Sequence, residues 1–207
     1  MKQNKINKKF VYLISPNKIS NINFYDDLAL VFSSKKISFF QLRLKKETNL
    51  NKLIIGKKIK KICNKYKVKF LINDDPLLAK KLNADGCHLG QKDMDLIKAR
   101  KILKNKIIGV TCHNSINLAK RAIKDGADYL AFGAFYATKT KTVKYRASLT
   151  VLKSIKKITS LPIVAIGGIK LNNYKKLLLN KANFLAISGY IWNNKKYKPL
   201  EAIKKLK

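Results

Sequence analysis

Two carboxylates, one arginine and a threonine–lysine loop carry most of the chemistry that this chain could perform. Asp74 and Asp93 follow apolar, strand-like runs and could hold a magnesium ion, which takes one or two carboxylates plus waters and phosphate oxygens. The competing reading is turn or helix-cap chemistry, because NDDP (Asn73–Pro76) and KDMD (Lys92–Asp95) both resemble cap sequences. The segment GAFYATKTK (Gly133–Lys141) opens after another apolar run and brings two threonines and lysines to its end. Hydroxyls and backbone N–H groups donate to phosphate oxygens, and lysine adds a point charge. Arg43 alternates with Gln41 and Lys45, placing three polar side chains on one face of a segment that should be buried. Gly167-Gly168 and Ser188-Gly189 follow two further apolar runs, where backbone could approach a phosphate closely. His88 and His113 lie near strand ends, and neither has the spacing of a nucleophilic triad.

These residues need a scaffold that brings distant strand ends together. Eight short apolar runs alternate with amphipathic stretches: Phe10–Ile14, Phe39–Leu44, Lys69–Ile72, Gly86–Leu89, Ile107–Thr111, Tyr129–Phe132, Pro162–Ile166 and Phe184–Ile187. Alternation of this kind implies parallel strands joined by right-handed crossovers. The count of eight favours an α/β fold as one closed (β/α)₈ barrel over an open doubly wound sheet. On that reading Arg43 and Lys45 close the second strand, Thr111 ends the fifth, and every candidate residue falls after a strand's C-terminal end, where barrel enzymes place their chemistry. Ser148 is a candidate cap for a helix running to Ile158, and Asn114 or Ser115 for one ending near Gly126. The expected organisation is a basic extension over residues 1–9 and a catalytic barrel over 10–207.

Composition excludes several classes. At 207 residues with 46% hydrophobic content, the chain can bury a sizeable core. No apolar stretch approaches the ~18 residues of a membrane span, and the basic N-terminus lacks a signal peptide's apolar centre. Cys63, Cys87 and Cys112 are odd in number and lack metal-site spacing, which suits reduced thiols in the cytoplasm. The formal charge of +35 raises nucleic-acid binding as an alternative. However, only four of the 46 basic residues are arginine, and the lysines are spread along the whole chain. Recognition usually recruits arginine and concentrates charge on one face, so compositional drift on solvated surfaces accounts for the excess.

Together, QLRLK (Gln41–Lys45), LINDDPLLAKKLNADGCHLGQKD (Leu71–Asp93), IGVTCHN (Ile108–Asn114), GADYLAFGAFYATKTK (Gly126–Lys141) and AIGGI (Ala165–Ile169) resemble the thiamine-phosphate synthase family. The resemblance runs from about Val11 to Trp192. It implies a (β/α)₈ barrel that joins hydroxymethylpyrimidine diphosphate to a thiazole phosphate, giving thiamine monophosphate and pyrophosphate with magnesium. By motif, Gln41, Leu42, Arg43, Leu44, Lys45, Asn73, Thr111 and Lys141 would bind the pyrimidine diphosphate, with Arg43, Lys45 and Lys141 acting in catalysis. Thr138, Lys139, Thr140, Gly168, Ile187 and Ser188 would bind the thiazole phosphate, and Asp74 and Asp93 the magnesium. Two positions depart from the family pattern: Leu44 stands where an acidic residue is common, and Ala137 where proline is. The related thiazole tautomerase is the nearest alternative activity. It needs no magnesium-diphosphate site and would use a proton-transferring side chain such as His113. The implied partners are small-molecule substrates rather than a specific nucleic acid or a membrane, and homo-oligomeric assembly is compatible with this reading.

Overall fold

Eight parallel strands close on themselves in sequence order, from β1 (Val11–Ile14) to β8 (Phe184–Ile187), in the computed structural model of the chain. The structure describes residues 9–138 and 145–207. The intervening order is α1 (Phe24–Ser33), β2 (Ile37–Leu42), α2 (Asn49–Tyr66), β3 (Lys69–Asn73), α3 (Pro76–Lys81) and β4 (Gly86–Leu89). Then follow α4 (Leu96–Leu103), β5 (Ile107–His113), α5 (Ile116–Lys124), β6 (Tyr129–Gly133), α6 (Leu149–Lys156), β7 (Ile163–Ile166) and α7 (Tyr174–Leu179). After β8 come the short α8 (Gly189–Trp192) and α9 (Pro199–Lys205). Closure is made where Val11 of β1 pairs with Leu185 of β8. This is the expected (β/α)₈ barrel. Of the expected basic extension over residues 1–9, residues 1–8 lie outside the described residues.

Period-two alternation sorts side chains to two sides of the sheet. Tyr12, Ile14, Leu71, Tyr129, Ala131, Val164 and Ala186 pack together as the barrel interior, with Phe39, Ile107, Ile166 and Phe184 against them. Their strand neighbours, such as Leu13, Phe40, Phe70 and Leu185, belong instead to the larger cluster between sheet and helices. The interior is therefore a packed core, and binding is confined to its rims.

The N-terminal rim repeats one device three times. Asp85, Asp128 and Asn183 each precede an even-numbered strand. Each side chain accepts a backbone N–H from the first or second residue of the preceding odd strand: Phe70 at 2.9 Å, Ile108 at 2.7 Å and Ile163 at 2.9 Å. In return the backbone N–H of each donates to the carbonyl of the same residue, at 2.8 Å in all three cases. An alanine stands before each of these residues (Ala84, Ala127, Ala182) and is buried. These reciprocal pairs fix strand register at the end away from the chemistry.

Helix ends follow local rules. Ser115 caps α5 by accepting from Leu118 N, which selects it over Asn114. Ser148 occupies the N-cap of α6 without a side-chain cap bond, and that helix ends at Lys156 rather than Ile158. Gly126 takes φ +89° after α5, the left-handed conformation expected of a glycine that terminates a helix. The three cysteines are free and buried, and burial pushes each thiol pKa up, that of Cys112 to about 12. No helix among the described residues is long and apolar enough to cross a membrane.

Candidate functional site

The opposite, C-terminal rim gathers the polar residues that the sequence scattered. Strand β2 ends at Leu42, two residues before the expected Leu44, so Arg43 and Lys45 stand on the loop beyond it. There the chain keeps its alternation. Gln41 points inward, 2% exposed, and donates through Nε2 to Asn73 Oδ1 at 3.1 Å. Arg43 donates to Asn17 Oδ1 at 2.9 Å, and Lys45 Nζ lies 2.7 Å from Asp74 Oδ2. Leu42 and Leu44, each 3% exposed, face the helices, so any contact they make with a ligand must come from their backbone. Ile187, 1% exposed, has the same restriction.

The two competing readings of the acidic motifs divide between neighbouring residues. Asp75 is the cap, accepting from Leu78 N at the start of α3, and Asp95 caps α4 through Ile97 N and Lys98 N. That leaves Asp74 and Asp93 for chemistry. Asp74 holds a left-handed backbone conformation, φ +65°, that costs a non-glycine residue about 1 kcal/mol. Its N–H donates to His88 O at 2.8 Å, which tethers it to β4. Asp93 Oδ2 accepts from Gly90 N at 2.7 Å, and the Asp93 side chain hydrogen-bonds that of Asp74.

Burial raises the Asp93 carboxyl pKa, and the neighbouring Asp74 raises it further. Burial acts on Asp74 in the same direction, but the hydrogen bond from Asp93 and the Lys45 ammonium together hold it below the usual carboxylate range. The two side chains are thus close enough for each to bias the other's titration, and both could serve a divalent cation. Two carboxylates with a nearby lysine fit a magnesium ion that completes its shell with water and phosphate oxygens. No group of three or more histidine, cysteine or carboxylate ligands occurs among the described residues, so a cage made wholly of protein ligands is not formed there.

Thr111 lies within β5, which runs on to His113. Its hydroxyl sits 2.8 Å from His88 Nε2, and its carbonyl accepts from Gln91 Nε2. The loops after β6 and β7 run side by side, because Phe135 N donates to Ile166 O and Tyr136 N to Gly167 O, both at 3.1 Å. Gly168 adopts φ +62°, and a Cβ there would lie 2.3 Å from Ala137 O, so only glycine lets these loops meet. Ser188 Oγ donates to Ser15 O at 3.0 Å. Thr138 stands at the edge of the described residues, and Lys139, Thr140 and Lys141 lie outside them.

Ser15 and Asn17 were missed by the sequence reading. Ser15 Oγ accepts from Arg43 N at 2.9 Å, and Asn17 holds the Arg43 guanidinium. Their signal in the sequence is Ser-Pro-Asn directly after the first strand. His88 was expected near a strand end; it lies within β4, 7% exposed, between Thr111 and Tyr129.

Residues 11–191 match the family model described as thiamine monophosphate synthase. The chain is 96% identical over 207 residues to the thiamine-phosphate synthase of Pelagibacter ubique, covering all of both proteins. It is 38% identical to that of Nitrosomonas eutropha, covering 88% of this chain and 86% of the relative. Among solved structures, thiamine phosphate pyrophosphorylase from Pyrococcus furiosus superposes with a TM-score of 0.82 at 28% identity, over 97% of this chain and 94% of that one. The family model over residues 11–191, the full-length relative and a barrel of this topology together place the chain in the thiamine monophosphate synthase family.

Proposed function

We propose that the C-terminal rim condenses 4-amino-2-methyl-5-hydroxymethylpyrimidine diphosphate with a thiazole phosphate, releasing pyrophosphate and thiamine monophosphate. The chain is a transferase of thiamine biosynthesis. The observation that carries the detailed reading is the contiguous cluster Lys45–Asp74–Asp93, with Arg43, Asn73 and Thr111 on the adjoining strand ends.

The reaction's largest electrostatic demand is the negative charge that grows on the departing diphosphate. Arg43 and Lys45 stand ready to pair with that charge, and Lys141 joins them in this reading. Asp74 and Asp93 would hold magnesium, which when bound neutralises diphosphate oxygens and promotes their departure. Gln41 fixes Asn73 through its side-chain amide, so that Asn73 and Thr111 present defined polar atoms to the pyrimidine. Leaving-group departure generates a pyrimidine-methyl cation, which the thiazole nitrogen captures. Thr138, Lys139, Thr140, Gly168, Ser188 and the Ile187 backbone hold the thiazole phosphate on the facing loops, where the chain approaches closely enough for N–H donors to reach it. Such chemistry needs positioned charge and no nucleophilic triad.

A proton-shuttling tautomerase would give no task to the paired carboxylates beside Lys45. The cytoplasm, where both precursors would be made, is the compartment this reading assigns. The test is direct: both precursors and magnesium are incubated with the protein, and thiamine monophosphate is sought by chromatography. Failure to form it, with the two precursors intact, rejects the proposal; tight DNA or RNA binding at physiological salt in that case supports the basic-protein alternative.

A further inference from the structure

Four hydrogen-bonding groups stand in series from the closed interior of the barrel to its open rim. Tyr12 OH lies 2.8 Å from Tyr129 OH, Tyr129 OH lies 2.8 Å from His88 Nδ1, and His88 Nε2 lies 2.8 Å from Thr111 Oγ1. We propose that this series makes His88 a positioning residue, whose tautomer fixes the Thr111 hydroxyl as a hydrogen-bond donor toward an acceptor atom of the pyrimidine diphosphate. The ligand in that statement rests on the function proposed above; the direction of the series does not.

The direction follows from its inner end. Tyr12 is 2% exposed and belongs to the apolar cluster of Ile14, Leu71, Ala131, Val164 and Ala186. Among the described residues, its hydroxyl has one hydrogen-bond partner, Tyr129. Were Tyr129 the donor of that bond, the Tyr12 proton would be buried among hydrocarbon with no acceptor, which is unfavourable. Tyr12 therefore donates to Tyr129. The Tyr129 proton is then directed to His88 Nδ1. A neutral imidazole that accepts at Nδ1 carries its proton on Nε2, so His88 donates to Thr111 Oγ1. The Thr111 proton is turned away from His88, toward the rim.

Two other arrangements fail the same accounting. The Nδ1–H tautomer would donate to Tyr129 and drive the Tyr129 proton onto Tyr12, stranding the Tyr12 proton. An imidazolium, donating from both nitrogens, would do likewise. Burial also raises both phenol pKa values, so each tyrosine keeps the proton that the series requires. Packing holds the parts in place. The His88 ring stacks on Tyr129 with centroids 5.6 Å apart and planes 18° from parallel. Thr111 is the member at the open end, partly exposed on β5.

The consequence is selectivity by polarity. With one Thr111 lone pair taken by His88 Nε2–H, the hydroxyl proton is left for the rim. A ligand atom that accepts is therefore favoured at the place to which that proton points.

The chain has two histidines, so ¹⁵N-histidine labelling yields two ring spin systems, separated by a His113→Gln variant. The expected result in the wild-type protein is the Nε2–H tautomer for His88; an Nδ1–H or doubly protonated ring overturns the proposal without any member of the series being altered. In steady-state assays, Tyr129→Phe should raise KM for the pyrimidine diphosphate about tenfold and leave KM for the thiazole phosphate unchanged. Thr111→Val should do the same and Thr111→Ser should restore it. If Thr111→Val raises that KM while a folded Tyr129→Phe does not, the series is rejected and Thr111 keeps its place in the site. If neither variant alters KM while wild-type turnover proceeds, the proposal fails as a whole. Absence of wild-type product would instead reject the assigned reaction, leaving the tautomer measurement to decide the series.

Discussion

Lys45 Nζ lies 2.7 Å from Asp74 Oδ2, a pair assembled from the loop after β2 and the residue after β3. The lysine side chain is 50% exposed and the aspartate 25%, so the pair is half in water. An exposed ion pair of this kind adds at most about 1 kcal/mol to stability. Its position matters more than its strength. The ammonium pairs with a carboxylate here, and in the proposed reaction it would turn to the diphosphate.

Lys45→Ala should therefore separate stability from activity. Unfolding in urea should move by less than about 1 kcal/mol. Turnover should fall about a hundredfold or more, equivalent to roughly 2.7 kcal/mol of transition-state stabilisation. A large loss of stability with retained turnover would show that the pair is structural.

Asp93 offers a second separation. A proton on either Asp93 or Asp74 would compete with a divalent cation, because metal ligands bind deprotonated. Magnesium affinity should weaken as pH falls toward the raised pKa of Asp93, and binding in that acid range should release protons, measurable by calorimetry in buffers of different ionisation enthalpy. Asp93→Ala should abolish magnesium-dependent turnover and leave the circular dichroism spectrum unchanged. Equal turnover with and without a chelator would remove the metal from the scheme.

The barrel was legible from eight apolar runs because buried parallel strands must be nearly continuous in hydrophobic residues. Boundaries were less legible. The apolar Leu44 extended β2 in the sequence reading, yet it packs in the layer beneath the helices after the strand has ended. Asp74 and Asp93 were recognisable as acidic residues at strand ends. What separated them from the capping Asp75 and Asp95 was backbone geometry, and spacing alone does not encode it. Ser15, Asn17 and the His88 series depend on contacts across strands, as between Tyr12 and Tyr129, which are 117 positions apart. No local pattern marks such a pair.

Asp85 predicts how stability responds to acid. Burial alone would raise its carboxyl pKa, but the Phe70 N–H and the ammonium groups of Lys60 and Lys69 outweigh burial and hold it below the usual value. A carboxyl depressed in the folded state favours folding above its unfolded pKa, about 3.9. That contribution is lost as pH falls from there through the lower folded value. Asp85→Ala should cost about 1–3 kcal/mol at neutral pH, since it leaves the Phe70 N–H without its side-chain acceptor. The difference between variant and wild type should shrink in acid over that window. A difference that stayed constant down to pH 2 would contradict the assignment.

Gly109 tests the interior from which the His88 series starts. A Cβ built on it would lie 1.8 Å from Tyr129 Cζ, against the ring atom that bears the hydroxyl. The aromatic ring is stacked on His88 and edged by Tyr12, so it has little freedom to retreat. Gly109→Ala must therefore displace either β5 or the Tyr129 ring. Overpacking a close-fitted core typically costs about 1–3 kcal/mol. A displaced hydroxyl would also break the links to Tyr12 and His88 together. Thermal denaturation should show the loss of stability, and the His88 ring ¹⁵N shifts should move in the folded variant. Replacement of Gly126, around which a Cβ would meet nothing within 4 Å, serves as the control. Gly126→Ala should be strained only by its φ of +89° and should leave the His88 shifts where they were. Identical His88 spectra in both variants would show that the Tyr129 ring does not transmit the interior's geometry to the rim.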